Sequence, residues 1–154
     1  MKSDEIDAQI AALSGAHFRL LWIAGGDASK RHAHLQEIAK DSGVPLLDVG
    51  KMLSAALLDL PVKLRAVSAE ECFHDLLKEG AGDVRCLEHL DVLFDQSLQL
   101  DAISLIKNSS RRFTLVASWP GVHKGDMLSY GSPDHPSFVQ FTPVKDEQTL
   151  HVIQ

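Results

Sequence analysis

The sequence is poor in cysteine, in aromatic residues and in long apolar runs. Its 154 residues include two cysteines, Cys72 and Cys86, and only 6% are aromatic. Two cysteines without ligand-like spacing exclude a disulfide framework and a zinc motif. Their apolar surroundings predict buried, reduced thiols. No run of 18 apolar residues is present, and the first residues lack the apolar centre of a signal peptide. These absences predict a cytoplasmic protein without a membrane span.

An excess of positive charge is also lacking. The chain has 15 basic and 21 acidic residues, and its formal net charge is −6. Proteins that coat nucleic acid depend on Lys and Arg to neutralise phosphates, so this class is excluded as the main function, although a local basic patch is not. The apolar fraction of 45% is ordinary for a globular protein, and the length fits one domain with its own core. We therefore predict a single domain over residues 1–154.

Helical and extended patterns alternate along the chain. Apolar spacing predicts helices over residues 4–13, 30–40, 50–60, 67–78 and 100–108. Continuous apolar or β-branched runs predict buried parallel strands over residues 18–24, 44–49, 84–88 and 112–118, with short strands at 138–141 and 150–153. This alternation predicts an α/β fold with a mostly parallel sheet flanked by helices.

The segment 24–31, AGGDASKR, joins a predicted strand to a predicted helix, as a phosphate-binding loop does. Such loops follow G-x-x-x-x-G-K-[ST]: the glycines open a nest of N–H groups, the lysine reaches the phosphates and the hydroxyl ligates magnesium. Here Lys30 matches, but Ala24 and Ser29 replace the glycines, Arg31 replaces the hydroxyl, and Asp27 adds negative charge. The segment fits a weakened nucleotide site and also a plain strand-to-helix turn. The candidate nucleotide-binding residues in it are Gly25, Gly26, Ser29, Lys30 and Arg31.

Polar residues end two of the predicted strands. Glu88 and Asp91 stand where P-loop ATPases place the carboxylates that hold the metal and polarise the attacking water. They are candidate catalytic residues, although a solvated strand end explains two acids as well. Ser118 ends the strand 112–118, where many such folds place a residue that senses the γ-phosphate. The P-loop arrangement predicts this strand between the one before the loop and the one ending at Glu88.

Other polar residues have simpler explanations. His32 and His34 are two apart and point to different sides of a helix, so no metal site is predicted. Arg111 and Arg112 follow a helix, where positive charge complements the helix dipole. The same two residues also fit a contact with nucleic acid.

Residues 83–141 carry several motifs in a fixed order. The stretch LEHLDVLFDQSLQLDAISLI has an acid-x-x-acid pattern and a helix start, SRRFTLVASWPG has an apolar strand and a W-x-G turn, and LSYGSPDHPSFVQF closes the segment. In this order they resemble the BrxF family, the small P-loop proteins of the third type of BREX phage-defence system. The resemblance implies a P-loop NTPase-like domain that works with other BREX proteins and takes ATP and magnesium.

This chain departs from the family at the loop itself. Each charge-assisted phosphate contact contributes about 1.5–3 kcal/mol, so losing two or three predicts an affinity lower by about two to four decades. We therefore expect a regulatory or scaffolding subunit whose binding of ATP and magnesium is weak or lost. One alternative is a slowly hydrolysing ATP-binding subunit that uses Lys30, Glu88, Asp91 and Ser118. Another is an accessory protein that contacts DNA through Lys107, Arg111 and Arg112.

Residues 119–138 are predicted to form a long loop that carries several apolar and aromatic side chains. Loops of this length in compact domains are usually functional or disordered, and aromatic residues are common interface anchors. We expect Trp119 or Tyr130 to be at least partly exposed. A Tyr130→Ala variant is expected to weaken partner binding with little change in melting temperature, unless these residues pack onto their own sheet.

Overall fold

The computed structural model describes residues 2–80, 82–144 and 148–153, and only the backbone of residues 2–5. Its helices are α1 Lys2–Leu13, α2 Ala28–Ser42, α3 Val49–Leu58, α4 Val62–Leu77 and α5 Ala102–Ser109. Its strands are β1 Leu20–Gly25, β2 Leu46–Asp48, β3 Val84–Glu88, β4 Thr114–Ser118, β5 Val122–Lys124, β6 Met127–Tyr130, β7 Val139–Phe141 and β8 Thr149–Ile153. Two short 3₁₀ helices, Leu90–Phe94 and Gln96–Leu98, follow β3.

Five strands form a central parallel sheet in the order β2-β3-β4-β1-β8. The predicted α/β class is confirmed, as is the position of β4, which ends at Ser118, between β1 and β3. Each parallel connection runs through at least one helix or the second sheet, because parallel neighbours cannot be joined by a tight turn. The carboxyl ends of all these strands therefore meet at one edge of the sheet.

Both faces of the central sheet are covered, which explains the unbroken apolar run before the loop. Leu21 and Ile23 face a cluster built with α1 and α2, whereas Trp22 faces a larger cluster that includes α3, α4 and α5. Successive side chains of a strand point to opposite faces, so a strand buried on both sides has no polar positions. All five residues from Leu20 to Ala24 are fully buried.

The prediction that residues 119–138 form one long loop is wrong. Residues 122–141 contain β5, β6 and β7, which form a three-stranded antiparallel sheet in the order β5-β6-β7. Trp119 is 1% exposed and packs against Trp22, Phe94 and Phe141, while Tyr130 is partly exposed and stacks on Phe94 at 4.4 Å between ring centroids. The aromatic residues of this segment thus join the two sheets.

Helices α2 and α4 begin earlier than predicted because of the residues that precede them. Helix α4 starts at Val62 because Pro61, with φ −56°, occupies its N-cap position, so Ser68 lies inside the helix and caps nothing. Helix α2 starts at Ala28 because the Asp27 side chain caps it.

Both cysteines are free thiols, as predicted, but only Cys86 is fully buried; Cys72 is partly exposed. Burial raises the pKa of the Cys86 thiol to about 12, which keeps it protonated and unreactive at neutral pH. Among the described residues, no helix has the length and apolar content needed to cross a membrane.

Candidate functional site

Four strand ends form what we call the carboxyl edge: Asp48 of β2, Glu88 of β3, Ser118 of β4 and Gly25 of β1. The strand register aligns Asp48 with Glu88 and Ile23 with Ser118, so these residues lie at similar heights. Open α/β sheets bind ligands outside the carboxyl ends of their strands. The carboxyl edge is therefore the part of the central sheet where a ligand is expected.

The turn between β1 and α2 is shorter than a phosphate-binding loop. Strand β1 ends at Gly25 and α2 begins at Ala28, so only Gly26 and Asp27 lie between them. Gly25 and Gly26 have φ of +88° and +58°, a conformation that glycine adopts without strain. The predicted candidates Ser29, Lys30 and Arg31 lie in the first turn of α2, and the first two are exposed.

The N-terminus of α2 already carries a negative group. Asp27 is the N-cap, and its Oδ1 accepts a hydrogen bond from the Lys30 backbone N–H at 2.8 Å. A helix N-terminus attracts anions through its free N–H groups and its dipole. Here the chain's own carboxylate accepts from one of these N–H groups.

Arg31 fills the space between the turn and β4. Its Nη1 donates to the carbonyl oxygen of Gly25 at 3.0 Å and to that of Gly26 at 3.3 Å. Its Nε donates to Ser118 Oγ at 3.1 Å, and Ser118 is 8% exposed. The structure thus joins three predicted site residues, Gly25, Arg31 and Ser118, through the guanidinium group. The residue at the motif's hydroxyl position is here a cation, and its guanidinium group ties the turn to β4.

Glu88 is paired with a histidine of α2. The Nδ1–H of His32 donates to Glu88 Oε2 at 2.6 Å, and the two side chains are 43% and 9% exposed. The carboxylate only accepts hydrogen bonds, which assigns the proton to His32 Nδ1. Sequence reasoning did not predict this pair, because no local pattern relates residues 56 positions apart.

A second acid–histidine pair lies beside the first. His89 Nδ1 is 3.0 Å from Asp48 Oδ1, and Asp48 also accepts from the Lys51 backbone N–H at 2.9 Å as the N-cap of α3. Burial alone would raise the pKa of Asp48, but the hydrogen bonds from Lys51 and His89 outweigh it and lower the pKa below its usual value. Asp48 and Glu88 therefore both have basic partners within the chain.

Asp91 lies apart from Glu88, although both were predicted as catalytic residues. Asp91 is exposed on the first 3₁₀ helix and lines a surface depression with Tyr130 and His135, whereas Glu88 lines another with His32 and Lys40. Burial, followed by the charges of Asp91 and Asp95, raises the pKa of Tyr130. Asp91 is therefore close to Tyr130 of the antiparallel sheet, in a different depression from Glu88.

Metal ligands are not gathered in the described part of the chain: it has no group of three or more His, Cys, Asp or Glu placed to hold a metal ion. The carboxyl edge instead brings each acid to a basic partner or a helix N-terminus. Comparison with protein-family models, with curated proteins and with solved structures finds no match to this chain.

Proposed function

We propose that this protein is a regulatory or scaffolding subunit with a degenerate P-loop NTPase-like fold. The proposal rests chiefly on Arg31, whose guanidinium group bonds both the loop carbonyls and Ser118. A nucleotide with magnesium would have to displace this tethered cation, and its phosphates would have to displace the Asp27 carboxylate from the helix N-terminus. Both exchanges break hydrogen bonds within the protein, and this lowers the affinity relative to a phosphate loop whose N–H groups are free.

We further propose that the subunit serves phage defence together with other BREX proteins. Support comes from the motifs in residues 83–141 and from the strand order, in which β4 lies between β1 and β3 as expected for a P-loop fold. A protein that does not turn over nucleotide acts by binding, which is why a regulatory or scaffolding role fits better than catalysis.

Magnesium-ATP is expected to leave the melting temperature nearly unchanged. A ligand present at 100 times its Kd stabilises the folded state by about 2.7 kcal/mol, equivalent to roughly 5–10 °C in a domain of this size. For this protein we expect a shift below about 1 °C at millimolar ATP, measured by calorimetry with and without magnesium. Lys30→Ala should behave like the parent and like Lys40→Ala, which removes an exposed lysine from the other end of α2. A shift of several degrees that only Lys30→Ala abolishes would establish the ATP-binding alternative.

Arg31→Ala is expected to lower the free energy of unfolding by about 1–2 kcal/mol, because it removes the donor to Ser118 and to two loop carbonyls. Urea unfolding with and without magnesium measures this cost. Magnesium should not restore the lost stability, because the described residues supply no metal ligand set. The proposal attributes the loss of ATP binding to several missing contacts together. It would be contradicted if Arg31→Ala alone, in a stably folded protein, produced magnesium-dependent ATP binding.

A further inference from the structure

Two segments of this chain contain no acidic residues. Residues 8–26 and residues 102–125 contain no Asp or Glu, although the chain has 21 of them. The first segment contains β1 and the second contains β4, which pair directly in the sheet. The fold therefore brings the two acid-free segments side by side.

Four cations of these segments meet at the end of the sheet opposite the carboxyl edge. Arg19 Nη2 donates to the Arg111 carbonyl oxygen at 3.1 Å, and the Arg19 backbone N–H donates to Ser110 at 3.0 Å. Lys107 Nζ lies 5.2 Å from the centroid of the Phe18 ring. We call this surface the basic edge, and it consists of Arg19, Lys107, Arg111 and Arg112.

The basic edge carries more positive charge than the helix end beneath it requires. Helix α5 ends at Ser109, and its C-terminal dipole is equivalent to roughly half a negative charge. Arg111 and Arg112 are exposed, and neither they nor Arg19 form a salt bridge with the part of the chain that the structure describes. Asp83 flanks the edge, where its carbonyl oxygen accepts from the Thr114 N–H.

We propose that the basic edge binds the phosphate backbone of a nucleic-acid duplex without reading its sequence. Clustered Lys and Arg side chains on an acidic protein favour a polyanion at that surface alone, because the rest of the molecule repels it. Arg19 precedes β1, and Arg111 and Arg112 lie on the turn after α5. Of the four cations only Lys107 lies on a helix, so they form no row along a helix that would enter a groove. Lys107 lies over the Phe18 ring and His17 contacts it edge-on, so this ring is already engaged within the protein, unlike the free aromatic platforms on which unpaired bases stack. This site is independent of what the carboxyl edge binds.

The test is fluorescence anisotropy with the full chain and a labelled 20-base-pair duplex over a salt series. Four phosphate contacts predict a slope of log K against log salt of roughly −3 to −4, with binding lost as salt rises toward physiological concentration. Arg111→Glu/Arg112→Glu should weaken binding at least tenfold at low salt and make the slope shallower by about 2. Lys51→Glu/Lys124→Glu, which makes the same charge change near the carboxyl edge, should retain most of the affinity.

Melting temperatures establish that each variant is folded. If Arg111→Glu/Arg112→Glu does not fold, Arg111→Gln/Arg112→Gln is measured in its place. Duplex DNA and duplex RNA are measured in parallel, and binding of either supports the proposal and identifies the duplex. The proposal is overturned if the parent binds neither duplex at low salt, or if the two charge reversals weaken binding equally. Preference for a single strand over both duplexes would also overturn it.

Discussion

Replacing Trp119 with alanine is expected to lower the free energy of unfolding by about 3–5 kcal/mol, the range for large aromatic residues removed from a core. Trp119 is 1% exposed and lies 5.2 Å from Trp22 and 5.4 Å from Phe141 between ring centroids. Its Nε1 donates to the carbonyl oxygens of Val122 and Ser129 at 3.2 and 3.1 Å. One side chain thus packs against the central sheet and bonds to the antiparallel sheet. Urea unfolding of the purified variant measures the loss.

Trp119→Phe separates the two contributions. It keeps an aromatic ring in the cluster but removes the Nε1 donor, and we expect it to cost about 1–3 kcal/mol. If Trp119→Ala changed stability by less than 1 kcal/mol, the residue would not be part of the core. A partner-binding role for the segment 119–138 would then be the better explanation of its aromatic residues.

Gly25→Ala is expected to destabilise the protein by several kcal/mol, or to prevent folding. A Cβ at this position would overlap the Ile153 carbonyl oxygen and lie 3.0 Å from Val152 Cγ1, and the residue has φ of +88°. The overlap involves the backbone of β8, which pairs with β1 and cannot move without breaking that pairing. The left-handed conformation adds roughly 1–2 kcal/mol of strain for any residue with a side chain.

Gly43→Ala provides the matched control. Gly43 ends α2 with φ of +67°, but a Cβ there would have no heavy atom within 4 Å. Its replacement should cost only the conformational strain, about 1 kcal/mol. Equal losses for the two variants, measured by thermal unfolding, would show that strain alone acts at Gly25. A larger loss of stability for Gly25→Ala would show that the close contact with β8 requires a glycine here, although no phosphate loop surrounds it.

The central sheet was predictable because each of its strands is indicated by the residues of that strand alone. Strands β1 to β4 are short, largely apolar runs separated by helical patterns, and β1 has no polar position because both of its faces are covered. The hairpin of β5 and β6 also had a local signal that the prediction missed: Gly125 and Asp126 form a two-residue turn between the paired residues Lys124 and Met127. Gly125 has φ of +61°, as such turns require.

The contacts at the carboxyl edge were not predictable in the same way. The sequence predicts that the charge of Asp27 opposes phosphate binding, and the structure adds that Asp27 caps α2 and thereby shortens the loop. The contact of Arg31 with Ser118 spans 87 positions and that of His32 with Glu88 spans 56. Such pairs depend on how α2 packs on the sheet. Spacing rules within one segment do not predict this packing.

The parallel order of the central sheet has a consequence for folding kinetics. Leu21 of β1 aligns with Val116 of β4 on one side and with Thr149 of β8 on the other, so the central pairings join segments that are distant in the chain. Closing such long loops costs entropy before the contacts form, and folding slows as the mean sequence separation of contacts increases. Until β8 docks, the wholly apolar β1 has an unpaired edge that is a template for pairing with another chain. Protein concentration during refolding, rather than final stability, should therefore determine the yield of native protein.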